Sequence, residues 1–348
     1  MTDFSGKVIS VLGYLNPDDL GVTLTHEHLN MLYNNAFVEP AREHQHRVNL
    51  PFSLENLGWI RQNPYSCKDN LCLKDKDAVL EDVQDFKANG GRTIVENSIR
   101  GLNRDIEFVK EIAEKTGVNI IAGTGYYLDS FLTDREHNAS VEDLARVITR
   151  DIVEGFDDTG IKCGCIGEIG CSWPLTSTEK KVLQASAAVQ KQLGCPVIIH
   201  PGRYREAPFE IIRILQEAGG DISKTVMSHL DRTIYDLGQL TEFAKMGSFC
   251  EYDLFGIETS SYQLAPDVDM PCDAERIQRI KHLIAEGFED RIVIAHDIHT
   301  NHRLLKYGGH GYSHILTCVV PQMKCRGITQ EVIDKILIHN PRAWLTFK

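Results

Sequence analysis

Eight short apolar runs, separated by longer amphipathic stretches, recur along this chain and constrain its fold more than any other feature. They cover residues 22–25, 93–97, 119–123, 165–169, 196–200, 226–229, 248–253 and 291–295. Between them, residues 105–116, 140–156, 178–193, 209–218, 237–245 and 274–286 carry helical periodicity. Strands alternating with helices are the pattern of repeated βα units and a parallel sheet. Eight units predict an α/β fold, a (β/α)8 TIM barrel. Helix punctuation agrees: Ser140 with Asp143 offers an oxygen cap and a negative charge at a helix start. Gly117, Gly194, Gly219 and Gly247 follow helical stretches where the chain turns into a strand.

No Pro-, Gly- or Ser-rich linker divides the 348 residues, so residues 1–348 are expected to form one domain. One segment breaks the rhythm. Residues 30–75 follow the first strand and far exceed the few residues a βα loop needs. This insertion is the expected lid, and its Tyr33, Phe37, Phe52, Leu57, Trp59, Ile60 and Tyr65 either cover the barrel mouth or select substrate.

A net charge of −12 excludes a nucleic-acid partner, because phosphate backbones attract basic surfaces. No run approaches the roughly 20 apolar residues of a membrane span, and residues 1–11 lack a basic start followed by an apolar core. A cytoplasmic protein acting on small molecules, as a monomer or homodimer, is expected. The ten cysteines fit this: several lie in apolar runs, and neither Cys163/Cys165 nor Cys67/Cys72 has zinc-site spacing. Buried, reduced thiols are expected.

The strongest local signal is Thr25-His26-Glu27-His28 at the end of the first predicted strand. Residues i and i+2 of a strand share a side, so both imidazoles can face the barrel centre. His200 and His229 close two further apolar runs, 197–199 and 226–228. Each alone fits a satisfied core histidine; together with the first pair at one barrel mouth they favour a metal site. Glu168 within 165–170 and Asp297 after 291–296 are carboxylates in apolar strands, which need a partner or a metal. Four imidazoles and two carboxylates suit two divalent ions, Zn2+ first and Mn2+ or Co2+ as alternatives.

The motifs Thr-His-Glu-His, Ile-Gly-Glu-Ile-Gly, Ile-Ile-His-Pro-Gly, Ser-His-Leu-Asp and Ala-His-Asp-Ile together resemble the phosphotriesterase family of the amidohydrolase superfamily, from Gly21 to the C-terminus. The resemblance implies that His26, His28 and Asp297 bind the more buried ion, that His200 and His229 bind the more exposed one, and that Glu168 bridges. It further implies that Asp297 takes the proton of the attacking water and delivers it to the leaving group. Many members bridge with a carboxylated lysine where this chain has Glu168; Lys162 stands six residues too early for that place. Phosphotriesterase activity is what this departure puts in question. The resemblance instead points to amide hydrolysis of small anionic N-acyl substrates, N-acylated amino acids or amino sulfonates, with N-acetyltaurine leading. Lactone or phosphotriester hydrolysis is the alternative, and a catalytically silent metal-binding barrel is a third reading.

For the substrate, Arg203 and Arg205 follow the fifth predicted strand, and Arg232 and Arg303 follow others. Guanidinium groups bind carboxylate, sulfonate or phosphate through paired N–H donors, or they make surface salt bridges. Tyr127 either hydrogen-bonds substrate or packs against the insertion.

Overall fold

The computed structural model describes residues 4–348. Its strands are β1 (Val8–Ser10), β2 (Gly13–Leu15), β3 (Thr23–Glu27), β4 (Met31–Leu32), β5 (Cys72–Leu73), β6 (Thr93–Glu96), β7 (Asn119–Thr124), β8 (Cys165–Gly170), β9 (Val197–His200), β10 (Thr225–Met227), β11 (Phe249–Tyr252) and β12 (Ile292–Ile294). Eight of them form one parallel sheet in the order β12-β11-β10-β9-β8-β7-β6-β3. The sheet curls until β12 meets β3. Asp297 N–H donates to the His26 carbonyl at 3.1 Å and the Thr25 hydroxyl to the Ile294 carbonyl at 3.3 Å. The fold is a (β/α)8 barrel, as the alternation predicts.

Each predicted apolar run is a strand, with ends displaced by no more than two residues. One displacement has a local cause: His229, expected inside its strand, has φ +56° and turns the chain out of β10. The predicted helices are Ile106–Thr116, Val141–Val153, Ser177–Leu193, Ala207–Glu217, Leu237–Ala244 and Asp273–Ala285. In the first, Ile106, Phe108, Val109, Ile112 and Ala113 form the stripe buried against the sheet. Asp105 accepts the Phe108 N–H at 3.0 Å and Gly117 ends the helix at φ +64°, a cap contribution of about 1 kcal/mol. Helix Lys76–Ala88 and the C-terminal helices Val320–Cys325, Gln330–Asp334 and Asn340–Leu345 had no sequence prediction.

Strand alternation builds the floor of the site. Val95, Ile121, Cys165, Ile198, Val226, Phe249 and Val293 form an apolar layer inside the barrel, with Val8, Leu20 and Trp344 packed onto it. Two residues further along β9, β10 and β11, side chains point the same way. Those positions are His200, Ser228 and Glu251, all buried. The polar layer therefore sits on a dry base.

Residues 30–75 leave β3 and return through the antiparallel pair β4/β5, with helix Leu54–Gln62 between. Tyr65 N–H donates to Gln263 Oε1 at 2.9 Å, and Gln263 Nε2 donates to Ser66 Oγ at 2.9 Å. These bonds fasten the insertion to the segment after β11, over the barrel's C-terminal end. All ten cysteines are free, six of them buried. Among the described residues no helix is long and apolar enough to cross a membrane.

Candidate metal centre

Six predicted ligands come together at the C-terminal ends of the strands. His26 and His28 stand at the end of β3, Glu168 in β8, His200 at the end of β9, and His229 and Asp297 just beyond β10 and β12. Both of the last two adopt left-handed backbone conformations, φ +56° and +52°, which side chains accept only when surroundings hold them there.

Glu168 lies at the middle. Its Oε1 is 3.2 Å from His28 Nε2, while its Oε2 is 2.8 Å from His200 Nδ1, 3.3 Å from His26 Nε2 and 3.5 Å from His229 Nε2. Asp297 Oδ1 is 3.2 Å from His28 Nε2 and 3.9 Å from His26 Nε2. The Glu168 carboxylate thus faces all four imidazoles, an arrangement that suits a ligand shared by two ions. Ligand atoms of His26, His28 and Asp297 lie within 4.8 Å of one another, as do those of His26, Glu168 and His229. His26 Nε2 is buried with no hydrogen-bond partner. A buried ring nitrogen facing two carboxylates suits a cation, and the donor set fits two divalent ions.

The opposite ring nitrogens are fixed by residues that sequence reading did not single out. His28 Nδ1 meets Ser98 Oγ at 2.9 Å and His229 Nδ1 meets Asp253 Oδ1 at 2.8 Å. His26 Nδ1 lies 3.0 Å from Asp253 Oδ2, 3.2 Å from Ser228 Oγ and 3.3 Å from Glu251 Oε2. Such partners select the tautomer that presents Nε2 and orient the ring. A third grouping, His26 with Glu251 and Asp253, lies on this Nδ1 side and is that support. A signal for both carboxylates was available: they occupy i and i+2 positions of an apolar strand, where the reasoning applied to Glu168 holds equally. Ser98, Ser228 and His299 carry no comparable signal. His299 Nδ1 lies 3.2 Å from Asp297 Oδ2 and its Nε2 3.0 Å from the Tyr65 hydroxyl.

Charge in the cluster is strongly coupled. Burial acts to raise the Glu168 pKa, but His26 and His200 hold it well below the ordinary carboxylate value. Burial pulls His28 down, yet the hydrogen bonds it donates to Asp297 and Glu168 carry it up to about 9. His229 likewise reaches about 9, against burial, through Asp253. Lys162 is half-buried at the opposite end, its Nζ 3.3 Å from the Tyr14 hydroxyl.

Above the ligands is a narrow chamber with a cavity of about 20 Å³, lined by Tyr33, Tyr65, Tyr127, Tyr262, Met31 and Leu254 besides the ligands, and by three arginines. Tyr127 is placed in it, with its hydroxyl 3.1 Å from that of Tyr33 and 3.5 Å from His200 Nδ1. Arg203 is also there, donating from Nε to the Tyr262 hydroxyl at 2.8 Å. Arg205 is not: its side chain is 69 % exposed and pairs with Glu206 at 2.7 Å. Arg232 and Arg303, noted in the sequence as following strand ends, complete the set.

The sequence profile of the phosphotriesterase family matches residues 6–345. The chain belongs to the phosphotriesterase family. Its similarity to individual members is extensive. The human protein named N-acetyltaurine hydrolase is 58 % identical and the mouse protein of that name 57 % identical, each aligned over 100 % of both chains. A resiniferatoxin-binding protein from Rhodobacter sphaeroides has a crystal structure that superposes with a TM-score of 0.95 at 32 % identity, covering 99 % of this chain and 98 % of that one.

Proposed function

We propose that this protein is a binuclear metal-dependent amidohydrolase that cleaves the amide bond of small N-acylated amino acids or amino sulfonates bearing an anionic tail, N-acetyltaurine first among them. One observation carries the reading beyond the family. Arg203, Arg232 and Arg303 border the chamber, and none has a carboxylate within ion-pair distance among the described residues. Arg232 and Arg303 are 2 % and 5 % exposed. Elsewhere this chain pairs its buried guanidinium groups, Arg104 with Glu96 at 2.8 Å and Arg276 with Asp231 at 3.1 Å. A buried cation left unpaired is costly, so an anionic substrate group is the partner these three are built for. The full-length similarity to proteins named N-acetyltaurine hydrolase supports a sulfonate as that group.

His26, His28 and Asp297 would hold one ion, His200 and His229 the other, and Glu168 both. Zinc is the proposed metal, with manganese or cobalt suited to the same ligands. Two ions bound there would supply an acidified water and a Lewis acid for the acyl oxygen. Asp297 would take a proton from the attacking water and return it to the amide nitrogen. The water oxygen joins the acyl carbon, the C–N bond breaks, and the products are the carboxylate and the amine: acetate and taurine from N-acetyltaurine. Tyr33, Tyr65 and the insertion that carries them close the chamber against bulk water. A cytoplasmic setting belongs to this reading, supported by six buried cysteines kept as thiols.

Steady-state hydrolysis of N-acetyltaurine, N-ethylacetamide and a neutral phosphotriester by metal-replete protein tests it. The sulfonate substrate should be preferred over its uncharged analogue by at least about 100-fold in kcat/KM, the worth of ~3 kcal/mol of charged hydrogen bonds. Equal rates on both amides, or preference for the phosphotriester, refute it.

A further inference from the structure

Glu27 stands between His26 and His28 in sequence, and its side chain faces away from both. It is fully buried. Its Oε1 accepts the His296 backbone N–H at 2.9 Å and faces His296 Nδ1 at 2.7 Å, and its Oε2 accepts the Ile298 backbone N–H at 3.0 Å. His296 Nε2 in turn accepts the Ile315 N–H at 3.0 Å, so the ring proton is on Nδ1 and points at Glu27. The two amides gripped by one carboxylate flank Asp297, whose φ of +52° is a conformation that a side chain other than glycine adopts only when its surroundings hold it there. Asp297 N–H itself donates to the carbonyl of His26.

This is also the place where the barrel closes. The β12 and β3 edges share no continuous ladder, and the side chain of Glu27 supplies bonds across that join. We infer that Glu27 is a positioning residue: by binding the amides on either side of Asp297, it fixes the left-handed turn that aims the Asp297 carboxylate at the metal centre. A neutral glutamine at this place keeps a single acceptor oxygen and brings an NH2 against an N–H donor, so the grip on one amide is lost. The effect on catalysis rests on the function proposed above; the effect on the turn does not.

The test compares Glu27→Gln with Asp151→Asn. Asp151 is an equally buried carboxylate, held by Arg100 and Thr124, that contacts neither Asp297 nor the chamber. Amide hydrogen exchange of the peptide spanning residues 295–299, measured on metal-free protein, should be at least about tenfold faster in Glu27→Gln and unchanged in Asp151→Asn. In metal-saturated protein kcat should fall at least about tenfold in Glu27→Gln with KM within about twofold, while Asp151→Asn keeps both. Unaltered exchange at 295–299 in Glu27→Gln overturns the inference. Faster exchange with no N-acetyltaurine hydrolysis in either wild type or variant upholds the turn and refutes only the proposed function. Should Glu27→Gln not fold, His296→Asn removes one of three donors and leaves both amides; it should give a smaller change in the same direction, and an unchanged exchange rate there overturns the inference too.

Discussion

Each residue of the centre carries two environments at once, and they pull in opposite directions. His28 and His229 are buried, which opposes charge, yet each has carboxylate partners that raise its pKa to about 9. Both values lie above the ordinary 6.5, so in the metal-free protein the stability these pairs contribute is complete below 6.5 and is lost as the pH rises through about 9. Metal requires the neutral imidazole, so binding near pH 7 must release protons. Calorimetry in buffers of different ionisation enthalpy should detect that release, with apparent affinity climbing until about pH 9; pH-independent binding contradicts the assignment of these ligands. At Glu168 the prediction is simpler. Glu168→Ala removes the carboxylate that faces all four imidazoles and should lower metal content to one ion or none, with turnover reduced by orders of magnitude, as read by metal analysis of the purified variant. For the arginines, Arg203→Met should raise KM for the sulfonate substrate about 10- to 100-fold, the loss of one charged hydrogen-bonding partner worth ~1.5–3 kcal/mol, and leave N-ethylacetamide hydrolysis unchanged. Arg205→Ala, which removes an exposed side chain, should leave both substrates unaffected.

At the scale of elements, what sequence could reveal depended on whether the information was local. Strand ends were readable because an apolar run followed by His or Asp is a one-dimensional signal, and β9 with His200 shows it. The departures arise where the backbone turns: His229 leaves β10 early because its left-handed φ is imposed by neighbours. Arg203 and Arg205 look equivalent in sequence, two residues apart in one loop. The fold sends the first to Tyr262 and the second to Glu206 in solvent, a distinction made by the segment after β11 and not by the loop itself. Helix Lys76–Ala88 was obscured by the insertion that precedes it, and Glu27 by the two histidines beside it. The insertion gives a prediction of its own. Gln263 bonds both Tyr65 and Ser66, so Gln263→Ala should loosen the cover and reduce kcat/KM about fivefold, the equivalent of ~1 kcal/mol, with metal content intact. No change in kinetics would mean that this fastening does not hold the chamber closed.

The whole molecule separates a stability-bearing layer from a reactive one. Apolar side chains from seven strands make the barrel floor, and the polar cluster rests above it with its charges balanced among themselves. Removing metal should therefore leave the barrel folded but weaker: a site saturated 100- to 1,000-fold above its Kd contributes about 3–4 kcal/mol, which for a chain of this length is a fall in Tm of about 4–6 °C. Circular dichroism after chelation should show the helical signal retained at room temperature. In a chain whose net charge is −12, three guanidinium groups without a carboxylate partner make the chamber a local attraction for anions. The most direct measurement is a crystal structure of zinc-loaded protein soaked with taurine, with the metals located by anomalous scattering. Two ions, one on either side of Glu168, and the sulfonate on the guanidinium groups of Arg203, Arg232 or Arg303 are the predicted result. A single ion, ions on other residues, or a sulfonate that avoids all three arginines would contradict it.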